Sequence, residues 1–222
     1  MRLYIVRHGE TDWNKERLIQ GKTDIPLNQN GIFVAGLTAN GYKKAGLRFK
    51  KVYSSPLKRA LTTAAILASE TLVPNESIIL DDRLKEFDFG DLEGHSLREV
   101  HPDNSDDSVL YQCFYQPEEY RPVLGGESYY DIVSRAKDFI EKEILSQSWE
   151  DDDNVLVVCH GGVIRAFLCA LTDKEIKDFW DTSHKNLSTN IFVLDDKKKT
   201  FRLEELSKYY YDVDAYAIGN YR

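Results

Sequence analysis

The sequence predicts an α/β fold, a three-layer sandwich in which a mostly parallel sheet carries helices on both faces. Two observations predict this fold. Apolar stretches of strand length, such as Leu3–Val6 and Val155–Cys159, alternate with segments that have the apolar spacing of helices. The chain has 222 residues, 42% of them hydrophobic, which is enough to bury the core of one such domain.

Strands are predicted where short apolar runs are bounded by glycine, proline or charged residues. In chain order these runs are Arg2–Arg7, Lys51–Ser54, Ser77–Leu80, Val155–Cys159, Ser188–Leu194 and Thr200–Leu206. The last two flank Asp195–Lys199, and this arrangement predicts a hairpin.

Helices are predicted where apolar residues recur every three or four positions. The segments with this spacing are Asn28–Leu47, Leu57–Ala68, Tyr130–Leu145 and Val163–Leu171. The first contains four glycines, so its register is uncertain. For the second, Ser55 is the expected N-cap and Pro56 the expected first helical residue.

The segment from about residue 84 to 127 lacks periodicity, and we interpret it as a cap inserted into a single domain that spans residues 1–222. It contains an acidic stretch, Asp103–Ser108, and a group of aromatic residues. These aromatics either line the mouth of a pocket or pack the cap onto the body; they are Tyr111, Phe114, Tyr115 and Tyr120.

Composition limits the partners and the location of the protein. A net charge of −8 disfavours non-specific binding to nucleic acid or to anionic membranes. No apolar run approaches the roughly 18 residues of a membrane span, and we expect no signal peptide. Three cysteines are too few for a disulfide framework and favour a reducing cytoplasm.

Two predicted strands end at a His-Gly pair, at His8 and at His160. The carboxyl ends of strands in an open α/β sheet border one crevice, so we expect these histidines to meet there. Arg7, beside His8, and Arg59, in the first turn of a helix that follows a strand, are expected at the same crevice. Guanidinium groups repel metal cations and match phosphate, so the cluster predicts an anion site without a metal.

Five ordered segments resemble the signature of the histidine phosphatase superfamily, also called phosphoglycerate-mutase-like. They are Arg7–Asn14, Gly21–Leu27, Ser54–Ala60, Glu86–Gly94 and His160–Arg165, and together they span about residues 2 to 170. The resemblance implies phosphoryl transfer without a cofactor, acting on a small phosphorylated metabolite. It leaves open whether the protein is a monomer or a homodimer.

The resemblance also implies a role for each matching residue. His8 is expected to be the nucleophile that accepts the phosphoryl group, and Glu86 the proton donor to the leaving oxygen. The remaining site residues are expected to bind the phosphate or to border it; they are Arg7, Asn14, Thr23, Arg59, His160 and Gly161. The other histidines, His95, His101 and His184, are expected at the surface or at caps, and Cys159 is expected to be a buried thiol.

The expected activity is metal-independent hydrolysis of phosphate monoesters through a phosphohistidine. A cofactor-dependent phosphoglycerate mutase is the main alternative, but mutases of this family carry paired arginines in the cap, where this chain has only Arg98 and Arg121-Pro122. Mutases also more often have asparagine at the position of Gly162. A non-catalytic phospholigand module and a metallohydrolase are further alternatives, disfavoured because the full set of catalytic and arginine residues is present.

Overall fold

The sheet of the computed structural model has six strands within the part of the chain that the structure describes, residues 1–71, 78–99 and 109–212. The strands are β1 (Arg2–Arg7), β2 (Lys51–Ser54), β3 (Ile78–Leu80), β4 (Asn154–Cys159), β5 (Thr189–Asp195) and β6 (Thr200–Lys208). Their order across the sheet is β3-β2-β4-β1-β5-β6. The pairs among β1 to β4 are parallel, whereas β5 runs antiparallel to both β1 and β6.

The α-helices of the described residues are α1 (Asp12–Glu16), α2 (Gln29–Lys44), α3 (Lys58–Glu70), α4 (Val109–Tyr115), α5 (Tyr129–Phe139) and α6 (Gly161–Leu171). A π-helical stretch, Ile140–Leu145, continues α5. No helix in these ranges has both the length and the apolar character needed to cross a lipid bilayer.

The two faces of the sheet pack against different helices. Tyr4 and Val6 of β1 lie in a buried cluster with residues of α2 and α3, whereas Leu3 and Ile5 lie in a second cluster with residues of α5 and α6. Successive side chains of a strand point to opposite faces, so this division places helices on both sides. The predicted three-layer α/β sandwich is therefore confirmed.

The predicted start of the helix after β2 is wrong. Helix α3 begins at Lys58, and Leu57, not Ser55, is its N-cap residue. The physical reason is that the backbone of Ser55, one residue beyond the end of β2, still bonds to β4: its N–H donates to the carbonyl of Val158 at 3.0 Å. The helix therefore begins two residues later than local capping preferences predict.

Two of the glycines in helix α2 lie where other segments of the chain approach the helix closely. A Cβ on Gly31 would lie 2.2 Å from the carbonyl oxygen of Glu10, and a Cβ on Gly41 would lie 1.7 Å from that of Tyr210. These contacts join residues far apart in sequence. They explain two of the four glycines, Gly31 and Gly41.

The described part of the cap segment packs onto the body through its aromatic side chains. Tyr120 is buried, and its ring lies 6.2 Å from that of Phe87. The ring of Phe114 lies 4.9 Å from that of Trp180, which follows α6. Asp103–Ser108 lies outside the described residues.

Candidate active site

His8 and His160 meet at the carboxyl edge of the parallel strands. They follow β1 and β4, which pair so that Arg7 lies opposite Cys159. Their ring centroids are 5.0 Å apart, and both side chains are buried. The sheet topology thus brings together two residues separated by about 150 positions of sequence.

The tautomer of His8 follows from its hydrogen bond. Nδ1 lies 2.6 Å from the carbonyl oxygen of Gly9, and since a carbonyl only accepts, Nδ1 carries the proton. The lone pair of the neutral ring is therefore on Nε2. Burial, with the positive charges of Arg59 and Arg7, holds the pKa of His8 well below its ordinary value, so the ring is neutral at pH 7.

Arg59 is fully buried and is held by neutral acceptors. Its terminal nitrogens donate to the carbonyls of Thr23 at 2.7 Å and Gly21 at 2.6 Å, and its Nε donates to Nδ1 of His160 at 3.2 Å. Burial lowers the pKa of Arg59 to about 10, which leaves the guanidinium charged at pH 7.

His160 has the opposite tautomer to His8. Because Nδ1 accepts from Arg59, the proton is on Nε2, which donates to Oγ of Ser55 at 2.8 Å. Burial and the charge of Arg59 keep the pKa of His160 well below its ordinary value. Ser55 therefore orients His160. The sequence motif contained this serine, but the prediction treated it only as a helix cap.

Arg7 contributes a second guanidinium, which burial leaves with a lowered pKa. One terminal nitrogen donates to the carbonyl of His184 at 2.7 Å, whereas the buried Nε has no partner among the described residues. A buried donor without a partner is costly, so this N–H is suited to donate a hydrogen bond to an oxyanion. A Cβ on Gly161 would lie 3.6 Å from Nε, which shows how closely that glycine borders it.

Glu86 lies at the N-terminus of α6. Its carboxylate oxygen Oε1 accepts from the backbone N–H groups of Phe87 at 2.8 Å and Gly162 at 3.0 Å. A Cβ on Gly162 would lie only 2.6 Å from this oxygen. The glycine therefore permits the close approach that fixes the carboxyl group beside the histidines.

Asn14 and Thr23 have different surroundings. The amide oxygen of Asn14 accepts from Thr11 and Asn186, so its N–H₂ group points away from these two residues. Thr23 donates from both its N–H and its hydroxyl to Glu93, and these donors are therefore occupied in this structure. The carbonyl of Thr23 instead supports Arg59.

The expectation for His184 is wrong, because this residue is buried. Its ring nitrogens contact Oγ1 of Thr182 at 2.9 Å and Oγ of Ser207 at 3.1 Å. Burial, with the charges of Arg165 and Arg7, lowers the pKa of His184 to about 3. No periodicity or capping pattern in the sequence marks this position.

The remaining predicted residues have simpler outcomes. His95 is exposed, and His101 lies outside the described residues. Cys159 is a fully buried thiol whose pKa is raised by burial. In residues 1–71, 78–99 and 109–212, no group of three or more His, Cys, Asp or Glu side chains is arranged to hold a metal ion.

A sequence model described as the histidine phosphatase superfamily (branch 1) matches residues 3–206. The chain belongs to this superfamily. The sequence resemblance is thereby confirmed over nearly the whole length.

Relatives include both phosphatases and mutases. A 2,3-bisphosphoglycerate-dependent phosphoglycerate mutase from Methylobacterium is 34% identical over 170 residues, which cover 76% of this chain and 79% of that protein. Phosphoserine phosphatase 1 from Hydrogenobacter thermophilus is 30% identical over 198 residues and 89% of each chain. A crystal structure of a phosphoserine phosphatase with 3-phosphoglyceric acid, from Entamoeba histolytica, has a TM-score of 0.77 at 28% identity, covering 93% of this chain and 96% of that one.

Proposed function

We propose that this protein is a metal-independent phosphatase that hydrolyses small phosphate monoesters through a phosphohistidine at Nε2 of His8. The observation that carries the proposal is a neutral His8 that has its lone pair on Nε2 and whose pKa is lowered by burial and by the positive charges of Arg59 and Arg7. The arginines supply fixed positive charge for the equatorial phosphate oxygens, and the imidazole supplies the nucleophile.

In the first half of the reaction, Nε2 of His8 forms a bond to phosphorus while the ester oxygen leaves. Glu86 protonates that oxygen, so the alcohol departs neutral. The arginines Arg7 and Arg59, together with the N–H₂ group of Asn14, provide donors for the phosphate. His160, whose single N–H donates to Ser55, borders the phosphate and accepts from Arg59 through Nδ1.

In the second half, water attacks phosphorus and the bond to His8 breaks. Glu86 takes the proton of the attacking water, and inorganic phosphate is released with the neutral imidazole restored. The two reaction steps thus use the same carboxyl group, first as the acid and then as the base, and they need no other proton carrier.

A phosphoglycerate mutase is the second candidate, because the Methylobacterium relative is a mutase. Two observations favour hydrolysis instead. Arg98 and Arg121 are both exposed, and the described part of the cap has no pair of adjacent arginines. The asparagine more usual in mutases would also displace the Glu86 carboxylate from its present position, because its oxygen lies 2.6 Å from the Cβ position of Gly162.

The decisive experiment measures phosphate release from a panel of phosphomonoesters, including phosphoserine and 3-phosphoglycerate, with and without 2,3-bisphosphoglycerate. A phosphatase releases phosphate without the bisphosphate, whereas a mutase needs it to interconvert 2- and 3-phosphoglycerate. His8→Asn is expected to abolish turnover and the acid-labile phosphoenzyme. Near-normal turnover in that variant, or loss of wild-type activity in EDTA, would overturn the proposal.

The other expectations remain proposals. The free thiols of Cys113, Cys159 and Cys169 are consistent with a reducing cytoplasm. The substrate is proposed to be a small phosphorylated metabolite bound under the cap at residues 84–127, and the protein is proposed to act as a monomer or a homodimer.

A further inference from the structure

The segment between α6 and β5 places an amide side chain against the nucleophile. Nδ2 of Asn186 lies 2.9 Å from the carbonyl oxygen of His8, 3.2 Å from that of Gly9 and 3.2 Å from Oδ1 of Asn14. The motifs that carry the family resemblance do not include this residue. Its two amide hydrogens are therefore shared among three acceptors, all of them in or beside the candidate site.

One of these acceptors sets the tautomer of His8. The carbonyl of Gly9 accepts both from Nδ1 of His8, at 2.6 Å, and from Asn186. As long as this carbonyl stays in place, the imidazole proton stays on Nδ1 and the lone pair stays on Nε2. Asn186 thus holds the group on which the nucleophilic atom depends.

A second acceptor of Asn186 is the amide oxygen of Asn14, and this contact bears on the orientation of the Asn14 side chain. Its amide oxygen accepts from the backbone N–H of Thr11, which can only donate, so the oxygen and nitrogen of this amide are distinguished. The contact with Asn186 fixes the same oxygen at 3.2 Å. The N–H₂ group of Asn14 must then point away from both donors.

The position of Asn186 is itself fixed by β1. The N–H of Leu187 donates to the carbonyl of Arg7 at 3.0 Å, and the N–H of Arg7 donates to the carbonyl of Ser188 at 3.2 Å. The guanidinium of Arg7 also donates to the carbonyl of His184. Residues 184–188 are thus tied on both sides of Asn186 to the end of the strand that carries His8.

We propose that Asn186 is a positioning residue, which keeps the proton of His8 on Nδ1 and the amide of Asn14 in its donor orientation. The kinetic consequence rests on the proposed phosphatase function, whereas the effect on the tautomer does not. The amide acts as a hydrogen-bond donor to three oxygens. For this role, its neutral charge and its N–H groups matter more than its volume.

The kinetic test compares Asn186→Ala with Asn186→Asp. We expect kcat to fall about 10-fold in Asn186→Ala, the effect of one lost hydrogen bond, and to fall further in Asn186→Asp. The aspartate has the same size, but its carboxylate faces three oxygen acceptors and repels them. A residue that only fills space predicts the reverse order, because the size-matched aspartate would be the milder change.

Asn190 provides the matched control. It is buried in β5, its amide nitrogen donates to the carbonyl of Ile5 in β1 at 3.3 Å, and its amide oxygen accepts from the N–H of Ser207; none of these contacts is with His8, Gly9 or Asn14. Asn190→Ala and Asn190→Asp are expected to change the melting temperature and to leave kcat within about 2-fold of the wild type. Losses in the Asn186 variants no larger than in these controls would overturn the proposal.

The spectroscopic test uses long-range ¹H–¹⁵N NMR of the imidazole groups, with the His8 signals assigned by their loss in His8→Asn. The wild type is expected to show a protonated Nδ1 and an unprotonated Nε2, and the Asn186 variants a mixture of the two tautomers. An unchanged His8 pattern in both variants would reject the proposal. This measurement needs no turnover, so it remains decisive if the wild type proves inactive on every phosphomonoester, an outcome that rejects the phosphatase function instead.

Discussion

Three buried histidines make the stability of this protein sensitive to acid. His8, His160 and His184 all have pKa values lowered by burial and by neighbouring arginines. In the unfolded chain each one titrates near its ordinary pKa of about 6.5. Below that pH the unfolded state therefore binds protons that the folded state does not, and the free energy of unfolding decreases as the pH falls.

The magnitude can be worked out for His184, whose pKa of about 3 lies well below the pH range of the experiment. A group of this kind contributes about 1.4 kcal/mol per pH unit below 6.5, so lowering the pH from 7 to 5 costs about 2 kcal/mol at His184. His8 and His160 change the stability in the same direction, because their pKa values are also lowered by burial.

The perturbation that tests this reasoning is His184→Gln. Glutamine can still bond with Thr182 and Ser207, and the contact with Arg7 uses the backbone carbonyl, which the substitution retains. We expect the loss of unfolding free energy between pH 7 and pH 5 to be smaller by about 2 kcal/mol in this variant than in the wild type.

The assay is urea unfolding followed by circular dichroism at pH 5, 6 and 7, in buffers without phosphate so that no anion binds the site. His95→Gln, at an exposed position, is the control, and it is expected to keep the wild-type dependence on pH. If His184→Gln also keeps that dependence, then His184 does not stay neutral in the folded protein and the electrostatic description of this site is wrong.

Three further predictions concern the chemistry. Glu86→Gln is expected to slow the hydrolysis of alkyl phosphates by about 100-fold or more and that of p-nitrophenyl phosphate much less, because only a poor leaving group needs the proton. Equal losses on both substrates would show that Glu86 is not the acid. Gly162→Ala puts a methyl group 2.6 Å from the present position of the Glu86 carboxylate, so kcat for alkyl phosphates should fall about 10-fold with little change in melting temperature; an unchanged kcat would show that the carboxyl position is not critical. Ser55→Ala removes the acceptor of the Nε2–H group of His160, and the inhibition constant of inorganic phosphate should rise about 10-fold; an unchanged constant would separate this hydrogen bond from phosphate binding.

The sheet could be predicted from sequence because its central strands are buried on both faces. Continuous apolar runs, such as Leu3–Val6, leave little choice of structure once glycine ends them. The start of α3 could not be predicted, since Ser55 has the local signature of a cap but is held by β4 and by His160. The change to a π-helix at Ile140 was equally hidden, because the same apolar periodicity fits both helix types.

The residues of the candidate site also fall into those that the sequence predicts and those that it does not. Arg7, His8 and His160 are predictable because strand ends and glycines mark their positions. His184 and Asn186 are not, because they lie in an irregular segment and their partners, the guanidinium of Arg7 and the carbonyl of His8, are nearly 180 residues away in sequence. Such contacts have no period, and a single sequence gives no sign of them.

The partners of the arginines explain how a chain of net charge −8 maintains a positive site. Arg83 and Arg135 bind carboxylates, which cancel their charge, although Arg135 also donates to the carbonyls of Arg83 and Glu86. Arg7, Arg59 and Arg165 are instead held by backbone carbonyls and a neutral histidine. Carbonyl dipoles solvate a guanidinium without neutralising it, so the charge remains available to a phosphate dianion. This difference in partners distinguishes the arginines suited to bind an anion from those that tie the fold together, and it is visible only in the structure.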